Sequence, residues 1–168
     1  MRGNLELLKK LSFLSDRKKL ELYPPFWLMR VKVLLLDDHW QQAHLRLPLN
    51  WVSANAEGNV YGGYQANLAD PIPALACMQR FPGYRIATRR LEVEFIRVGS
   101  THLDLHFEFP EVMHKEIASS LKDKGCATPS FTMQYVRADG KVCTRIRNTV
   151  AIRPKGYIGS LERADCED

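Results

Sequence analysis

Apolar residues recur along this chain with two different periods, which divide it into helices and strands. Near the start, leucines fall every three positions at Leu5, Leu8, Leu11 and Leu14, and this spacing predicts a short amphipathic helix. Ser15 is suited to cap a second helix that runs to Leu22, and the prolines at 24 and 25 should end it because proline has no N–H to donate. We expect residues 1–23 to be a helical segment that covers one side of the domain, with binding to a surface as the alternative.

The rest of the chain alternates mostly with a period of two, which is typical of half-buried strands. Residues 27–36 and 43–49 are separated by Asp37-Asp38 and predict a hairpin. Four long strands are predicted later, around residues 91–95, 103–109, 131–135 and 142–152. A helix over Glu111–Lys124 should interrupt these strands, and Gly125 is placed to end it.

The stretch 64–78 differs from every other segment because it is apolar on nearly all sides. A helix without a polar face has to be enclosed by the rest of the protein. A single twisted antiparallel sheet curled around this helix satisfies the burial of both, so the pattern predicts an α+β domain over residues 24–155. A monomer would keep an open sheet edge, and we therefore expect a dimer.

Composition narrows the functional classes without choosing among them. The 168 residues are 45% hydrophobic and 26% charged, which fits one folded domain with a charged tail over residues 156–168. A net charge of +5 favours anionic partners, but the basic residues lack the aromatic interleaving of a module that binds nucleic acid. The longest apolar stretch, 26–36, is interrupted by Arg30 and Lys32, so no membrane span is expected.

Charges near the start and scattered cysteines bear on location and metal binding. Glu6, Lys9 and Lys10 stand where a secretory signal would be apolar, so a cytoplasmic location is expected. The four cysteines, at positions 77, 126, 143 and 166, form no C-x-x-C pair. We therefore expect free thiols, no metal site and no cofactor.

A polar, glycine-bearing segment before the apolar helix carries the most specific pattern in the chain. It contains Asn50-Trp51, Asn55, Gly58, Tyr61-Gly62-Gly63 and then Leu68-Ala69-Asp70-Pro71. The spacing resembles the hotdog-fold thioesterase superfamily, and in particular a bacterial branch that reads N-W-x-N-x-N-x-H-G-T-x-F-G-G followed by A-D-P. The resemblance spans residues 24–153, and it implies the hotdog fold, in which a sheet wraps an apolar helix, together with hydrolysis of acyl thioesters.

The resemblance also implies which residues form the site. In phenylacetate-type thioesterases an Asn, the glycines of an H-G-G motif and an Asp in the following helix act together, and these match Asn55, Gly62-Gly63 and Asp70. The chain departs from the pattern at two positions, since Tyr61 replaces the His before the glycines and Glu57 replaces the His of the branch's H-G. Any role of those histidines is therefore lost or transferred here.

The same residues suit this chemistry on physical grounds. Gly62 and Gly63 open a helix, where a free N–H of Gly63 or Tyr64 can donate to a thioester carbonyl. Asp70 lies in an apolar helix, where a carboxylate is costly unless it has a partner or a function, and it is suited to activate a water or to attack directly. Structural alternatives exist for each: Asp70 as a helix cap, the glycines for tight packing and Asn55 as a turn residue.

Two classes of function stay open, namely hydrolysis of an acyl thioester and binding of one without turnover, which the loss of His at position 61 favours. Hydration of an unsaturated acyl thioester would need a His–Asp pair on the helix, and no His occurs between Trp51 and Thr101. If the protein is a hydrolase, we expect its substrate to be an acyl-CoA with a medium or long apolar acyl group. We expect the protein to form a homodimer or a dimer of dimers. Arginines that could meet the coenzyme phosphates are Arg89, Arg90, Arg145 and Arg147, and residues expected beside the acyl group are Tyr61, Gly62 and Leu68.

Overall fold

An antiparallel sheet is the largest element of the structure, a computed structural model that describes residues 14–156. Its strands are β1 Lys32–Leu36, β2 Gln42–Leu47, β3 Tyr84–Phe95, β4 Leu103–Glu108, β5 Ser130–Arg137 and β6 Val142–Pro154. They lie in the order β1-β2-β4-β5-β6-β3, and every neighbouring pair is antiparallel. The two edges of the sheet are therefore β1 and β3.

Helices enclosed by this sheet form the centre of the domain. The helices in the described range are α1 Asp16–Leu22, α2 Pro24–Leu28, α3 Gly62–Ala69, α4 Pro71–Arg80 and α5 Glu111–Lys124. The apolar stretch forms α3 and α4, in which Leu68, Ala69, Ile72, Ala76 and Cys77 are fully buried. The prediction of an apolar helix wrapped by one antiparallel sheet is confirmed.

The enclosed helix is broken once, at Asp70, where the sequence predicted one continuous helix over residues 64–78. The backbone of Asp70 keeps helical angles, with φ −54° and ψ −54°. Pro71 and Pro73, however, have no N–H to donate to the carbonyls four residues earlier. The helix is therefore divided into α3, which ends at Ala69, and α4, which begins at Pro71.

The entry into the sheet differs from the prediction. Ser15 caps α1 as expected, because its Oγ accepts a hydrogen bond from the Lys18 N–H over 3.4 Å. The two prolines that end α1 also begin α2, since the fixed φ of proline suits the first turn of a helix. The predicted strand over residues 27–36 is therefore wrong at its start: Trp27 lies in α2, and β1 begins at Lys32.

The later predicted elements are confirmed, except that β3 begins at Tyr84, seven residues before the predicted strand over 91–95, because its pairing with β6 starts there. α5 covers Glu111–Lys124 and ends at Gly125, whose φ of +71° lies in the left-handed region that favours glycine. Cys77 and Cys143 are buried free thiols as expected, whereas Cys126 is disulfide-bonded, so the prediction of a free thiol is wrong there. Most of the predicted first helix and of the predicted tail lies outside the described residues. Within residues 14–156, the helices are too short or too polar to cross a bilayer.

Candidate functional site

The start of α3 presents two backbone donors. The N–H groups of Gly62 and Gly63 have no acceptor among residues 14–156, whereas the Tyr64 N–H donates to the Tyr61 carbonyl oxygen over 3.1 Å. The first N–H groups of a helix carry partial positive charge, so these two glycine amides suit an oxygen that bears negative charge. Tyr64, which the sequence offered as an alternative donor, already has an acceptor within the chain.

The missing side chains at the two glycines leave room for aromatic rings. A Cβ on Gly62 would lie 2.7 Å from Cζ of Phe95, at the end of β3, and a Cβ on Gly63 would overlap the ring of Tyr61. Tyr61 also contacts Tyr64 edge to face, with ring centroids 5.7 Å apart. The ring of Phe95 or of Tyr61 would have to move to admit a side chain at either glycine, while Gly63 itself remains exposed.

Two side chains from the sheet hold the backbone of Asp70. Asn148 Nδ2, in β6, donates to the Asp70 carbonyl oxygen over 2.8 Å, and Thr88 Oγ1, in β3, donates to the same oxygen over 3.1 Å. Asn148 is fully buried, and its Oδ1 has no hydrogen-bond partner in the described part of the chain. Such an atom costs about 1–3 kcal/mol. We call Asp70, Thr88 and Asn148 the Asp70 clamp.

The Asp70 carboxylate does not cap α4. The residue has helical angles rather than the extended ones of an N-cap, and its side chain makes no capping hydrogen bond. The residue is half-buried, and between residues 14 and 156 no cation pairs with its carboxylate. The capping alternative is therefore not realised, and the carboxylate is left for another contact.

A second buried polar group ties the start of α3 to the sheet. Gln65 is 3% exposed, and its Oε1 accepts from Thr144 Oγ1 over 2.6 Å while its Nε2 donates to the Val60 carbonyl oxygen over 3.3 Å. The Tyr135 hydroxyl donates to the Gln65 carbonyl oxygen over 2.8 Å. Burial raises the pKa of Tyr135 well above its ordinary value, so this hydroxyl keeps its proton. These bonds fix the position of the glycine amides.

The glycine amides and Asp70 lie at opposite ends of α3. Gly63 and Asp70 are seven positions apart in the sequence, which corresponds to about 10 Å along the axis at 1.5 Å per residue. A reacting carbon and its attacking atom must approach to about 3–3.5 Å. A single chain therefore does not bring these two groups together around one substrate.

Asn55, the third residue implied by the resemblance, lies in an exposed turn. Its Oδ1 accepts hydrogen bonds from the N–H groups of Glu57 and Asn59, each over 3.0 Å. This is the geometry of an Asx turn, so the turn alternative is realised. The structure does not bring the Asn55 side chain to the glycine amides.

The residues predicted beside the substrate are divided between the core and the surface. Leu68 is fully buried in the core. Arg89 and Arg90 are exposed on β3, where a β-bulge between Thr88 and Arg90 leaves Arg89 without an opposite residue in β6. Arg90 pairs with Glu92 over 2.6 Å. Arg89 is therefore the less engaged of the two arginines and follows directly on Thr88 of the Asp70 clamp.

Large apolar side chains surround the start of α3 and the end of β3. Among them Tyr61 is 53%, Phe95 57% and Val98 59% exposed. The Val60 N–H donates to the Gly99 carbonyl oxygen over 2.8 Å, so the segment after β3 runs beside the chain that enters α3. We call this apolar area, together with the edge of β3 that has no neighbouring strand in the described range, the β3-edge surface. An open strand edge beside apolar residues is typical of an interface between copies.

Thr88, Gln65 and Asn148 were missed by sequence reasoning. The strongest overlooked signal lies in β6, where Ile146, Val150 and Ile152 alternate towards the core and Asn148 falls on the same face. A polar residue on an apolar face lowers the stability of the fold unless its polar atoms form hydrogen bonds. That argument marks Asn148 as unusual, although it does not identify Asp70 as the partner.

Comparison with known proteins places the fold. No protein-family model matches the sequence, and no curated protein is similar to it at a significant level. Among solved structures, a protein of unknown function from Pseudomonas aeruginosa described as a probable thioesterase is 17% identical, with a TM-score of 0.73, over 92% of this chain and 98% of that one. A thioesterase from Haemophilus influenzae is 12% identical, with a TM-score of 0.64, over 95% of this chain and 97% of that one.

A third similar structure belongs to the phenylacetic acid degradation protein PaaI from Thermus thermophilus, in a mutant form. It is 18% identical, with a TM-score of 0.56, over 77% of this chain and 98% of that one. At these identities the similarity establishes the architecture rather than the activity. The fold predicted from the sequence pattern and from the resemblance is confirmed as the hotdog fold.

Proposed function

We propose that this protein hydrolyses acyl thioesters, with Asp70 as the group that activates water. The observation that carries the proposal is the setting of Asp70, a half-buried carboxylate on the enclosed helix that caps nothing. The chain holds its backbone with two sheet side chains and leaves a buried amide oxygen unpaired in doing so. A carboxylate kept in such a position is suited to acid–base work. The likeness to solved structures that are described as thioesterases supports the same reaction class.

In the proposed reaction, Asp70 takes a proton from a water molecule while the water oxygen adds to the thioester carbon. The carbonyl oxygen becomes an oxyanion, which accepts hydrogen bonds from the Gly62 and Gly63 amides; one such donor contributes about 2.7–4 kcal/mol in measured enzymes. Collapse of the adduct then breaks the C–S bond, and the proton held by Asp70 passes to the leaving sulfur. The products are a carboxylic acid and a thiol.

The proposed site requires two copies of the chain. Because Gly63 and Asp70 of one chain are about 10 Å apart along α3, neither end alone can complete the reaction. A two-fold pairing of β3-edge surfaces would turn the glycine amides of one copy towards Asp70 of the other. The exposed apolar residues at that edge support this arrangement.

We further propose that the substrate is a medium- or long-chain acyl-CoA. Leu68 and Ile72 are closed into the core, so the acyl chain would lie against exposed residues such as Phe95 and Tyr61 rather than inside one chain. For the coenzyme phosphates, Arg89 is favoured because it is exposed and adjoins the Asp70 clamp. Arg147 is also exposed and precedes Asn148 of the clamp, whereas Arg90 and Arg145 each lie near a glutamate, Glu92 and Glu94.

The first prediction tests the role of Asp70. A panel of acyl-CoA esters from acetyl to palmitoyl is assayed for thiol release with the parent, Asp70→Asn and, as matched control, Asp38→Asn at an exposed aspartate. We expect release from octanoyl and longer esters, a loss of about a hundredfold or more in kcat for Asp70→Asn, and no change for Asp38→Asn. Circular dichroism and Tm establish that the Asp70→Asn variant folds.

Two results would overturn parts of this assignment. Equal rates for the parent and Asp70→Asn would make Asp70 a structural residue. A parent that binds acyl-CoA in calorimetry without releasing thiol would identify the chain as an acyl-thioester binder without turnover, the class that Tyr61 in place of His favours. Faster release from acetyl-CoA than from octanoyl-CoA would refute the apolar acyl site.

The second prediction concerns the phosphate contact. Arg89→Glu combined with Arg90→Glu should raise KM for acyl-CoA by about tenfold or more with little effect on kcat, because charge-assisted hydrogen bonds to phosphate would be replaced by repulsion. Lys115→Glu with Lys122→Glu, at two exposed lysines on α5, is the matched control and should leave KM unchanged. An unchanged KM for the first pair at low salt would remove this patch from the site.

A further inference from the structure

A second exposed apolar area lies where α1 and α2 meet. Leu22 is 44%, Trp27 65% and Leu28 54% exposed. Leu22 and Trp27 line one open groove of about 460 Å³ together with the buried Val31, so these two exposed side chains form one continuous area, and Leu28 follows Trp27 in α2. Continuous exposed apolar areas of this kind usually mark a contact with another molecule. We call it the α1–α2 surface.

The rim of the α1–α2 surface is basic. Lys18, Arg30 and Lys32 line the same groove, and residues 16–32 contain five basic side chains against two acidic ones. One acid, Glu21, also lines the groove, where it pairs with Lys18 over 2.8 Å and with Lys32 over 3.8 Å and accepts from the Val33 N–H over 3.1 Å, which leaves three cations against one acid. The groove therefore keeps an excess of positive charge around its apolar floor.

Arg30 occupies a backbone conformation that is costly for its residue type. Its φ is +58°, and its N–H donates to the Trp27 carbonyl oxygen while the Val31 N–H donates to that of Phe26, over 3.0 and 2.9 Å. This is the left-handed helix ending in which glycine is normally found, since a side chain there is strained. The chain thus keeps an exposed guanidinium beside Trp27 at the expense of stability. Within the described residues that guanidinium forms no ion pair or hydrogen bond.

We propose that the α1–α2 surface docks on a phospholipid bilayer with anionic headgroups. Tryptophan favours the boundary between headgroups and acyl chains, and leucines beside it would enter the apolar layer. Lys18, Arg30 and Lys32 would lie at the level of the phosphates and be attracted to their charge. The sequence, the groove and the strained arginine all support this one type of occupant, and the proposal does not depend on the thioesterase assignment.

Binding of the full chain to vesicles tests the proposal. Vesicles of phosphatidylcholine alone are compared with vesicles that also contain phosphatidylglycerol, by co-sedimentation and by tryptophan emission in a Trp51→Phe background. We expect binding to the anionic vesicles only, with a loss of binding at high salt and a blue shift of the emission that is absent in Trp27→Ala, because the buried Trp40 emits in both proteins. Trp27→Ala should weaken binding by about tenfold or more. Trp51→Ala, at a tryptophan that is 82% exposed elsewhere, is the matched control and should not weaken it.

Arg30→Gly separates lipid binding from stability. Glycine removes the strain of the positive φ, so Tm should stay the same or rise, while vesicle affinity should fall about fivefold through the loss of one cation at the surface. Lys115→Glu, on exposed α5, is the charge control and should leave binding within about twofold of the parent.

The proposal is overturned if the parent does not bind anionic vesicles, or if Trp27→Ala and Arg30→Gly bind as well as the parent. Equal binding to neutral vesicles would refute the electrostatic half. If the parent does not bind vesicles and Trp27→Ala has a lower molecular mass than the parent in sedimentation equilibrium, the surface is a contact between copies and not a lipid site.

Discussion

Among single residues, Asn148 is the most informative, because only one of the two polar atoms of its side-chain amide forms a hydrogen bond in the described chain. Nδ2 holds the Asp70 carbonyl oxygen, whereas Oδ1 is buried without a partner in the described chain. An apolar side chain of similar volume would avoid that cost. The residue is therefore better explained by what it does for Asp70 than by what it does for the core.

The third prediction follows for the Asp70 clamp. Asn148→Leu should leave the free energy of unfolding unchanged or raise it by up to about 1 kcal/mol, yet lower kcat for thioester hydrolysis about tenfold while KM stays close to the parent value. Thr88→Val removes the other clamp bond at matched volume and should act in the same direction. Urea unfolding and steady-state kinetics give the two readouts. A variant that loses stability and keeps its kcat would make the clamp a purely structural feature.

The residues of the site were only partly predictable. Asp70 and the glycine pair could be identified because a carboxylate in an apolar helix and two glycines at its start violate local preferences. The Asp70 clamp could not be derived, because Thr88 and Asn148 lie 18 and 78 residues away from Asp70 and meet it only through the sheet. For Asn55 the sequence suggested a site residue where the structure has a turn residue. Asparagine is common both in active sites and in turns, so its residue type alone could not decide between them.

Among the elements, the pairing of β2 with β4 offers a pH-dependent bond. Arg46 and Asp104 are directly opposite, and two hydrogen bonds of 2.8 Å join them. Burial by itself raises the pKa of Asp104, but the hydrogen bond and charge of Arg46, with smaller effects of His102 and His106, more than offset it and hold the pKa below its ordinary value. A carboxyl with a lowered folded pKa stabilises the fold above its unfolded pKa of about 4 and loses that effect as pH falls through the folded value.

The fourth prediction uses this bond. Asp104→Asn should lower the free energy of unfolding at pH 7 by about 1 kcal/mol or less, since both side chains are partly exposed and screened. The difference from the parent should shrink as the pH falls below about 4, the unfolded pKa, and through the lower pKa of the folded state. Urea unfolding at pH 7 and pH 2.5 measures both values, with Asp38→Asn as the control. A difference that is the same at both pH values would refute the role of the charge.

The predictability of the elements depended on whether local pattern and tertiary context agreed. β4, α5 and β5 were predicted well because their alternation or helical spacing matches the face they bury. The strand prediction was wrong over residues 27–31. Aromatic and apolar residues there favour a strand, but the two prolines before them start a helical turn that the hydrophobic pattern does not reveal. Pro71 and Pro73 already indicate in the sequence that the enclosed helix is divided at Asp70. The sequence does not indicate that Thr88 and Asn148 donate hydrogen bonds to the Asp70 carbonyl oxygen at that division.

At the scale of the whole molecule, the two edge strands of the sheet, β1 and β3, each have one neighbouring strand in the described chain, and β3 is the longer of the two. β3 is twelve residues long and has a neighbour only on the side of β6 within the described chain. Proteins rarely leave a long, partly apolar strand edge open. An antiparallel pairing of β3 with its copy would continue the sheet across a two-fold axis and cover the β3-edge surface. The proposed active site, divided between two copies, depends on this pairing.

The last prediction tests the dimer by the same substitution at two exposed valines, one inside the proposed contact between copies and one outside it. Val98, in the β3-edge surface, is 59% exposed, and Val112, on α5, is 68% exposed. Val98→Glu would place a carboxylate in an apolar contact between the copies, so it should shift the dimer to monomer at micromolar concentration in sedimentation equilibrium, whereas Val112→Glu should remain dimeric. Thioester hydrolysis by Val98→Glu should be low per chain and rise with protein concentration, because Asp70 and the glycine amides then come from copies that must first associate. A parent that sediments as a monomer, or a monomeric Val98→Glu with full activity at every concentration, would show that one chain completes the site and would contradict the division of the catalytic groups between two copies.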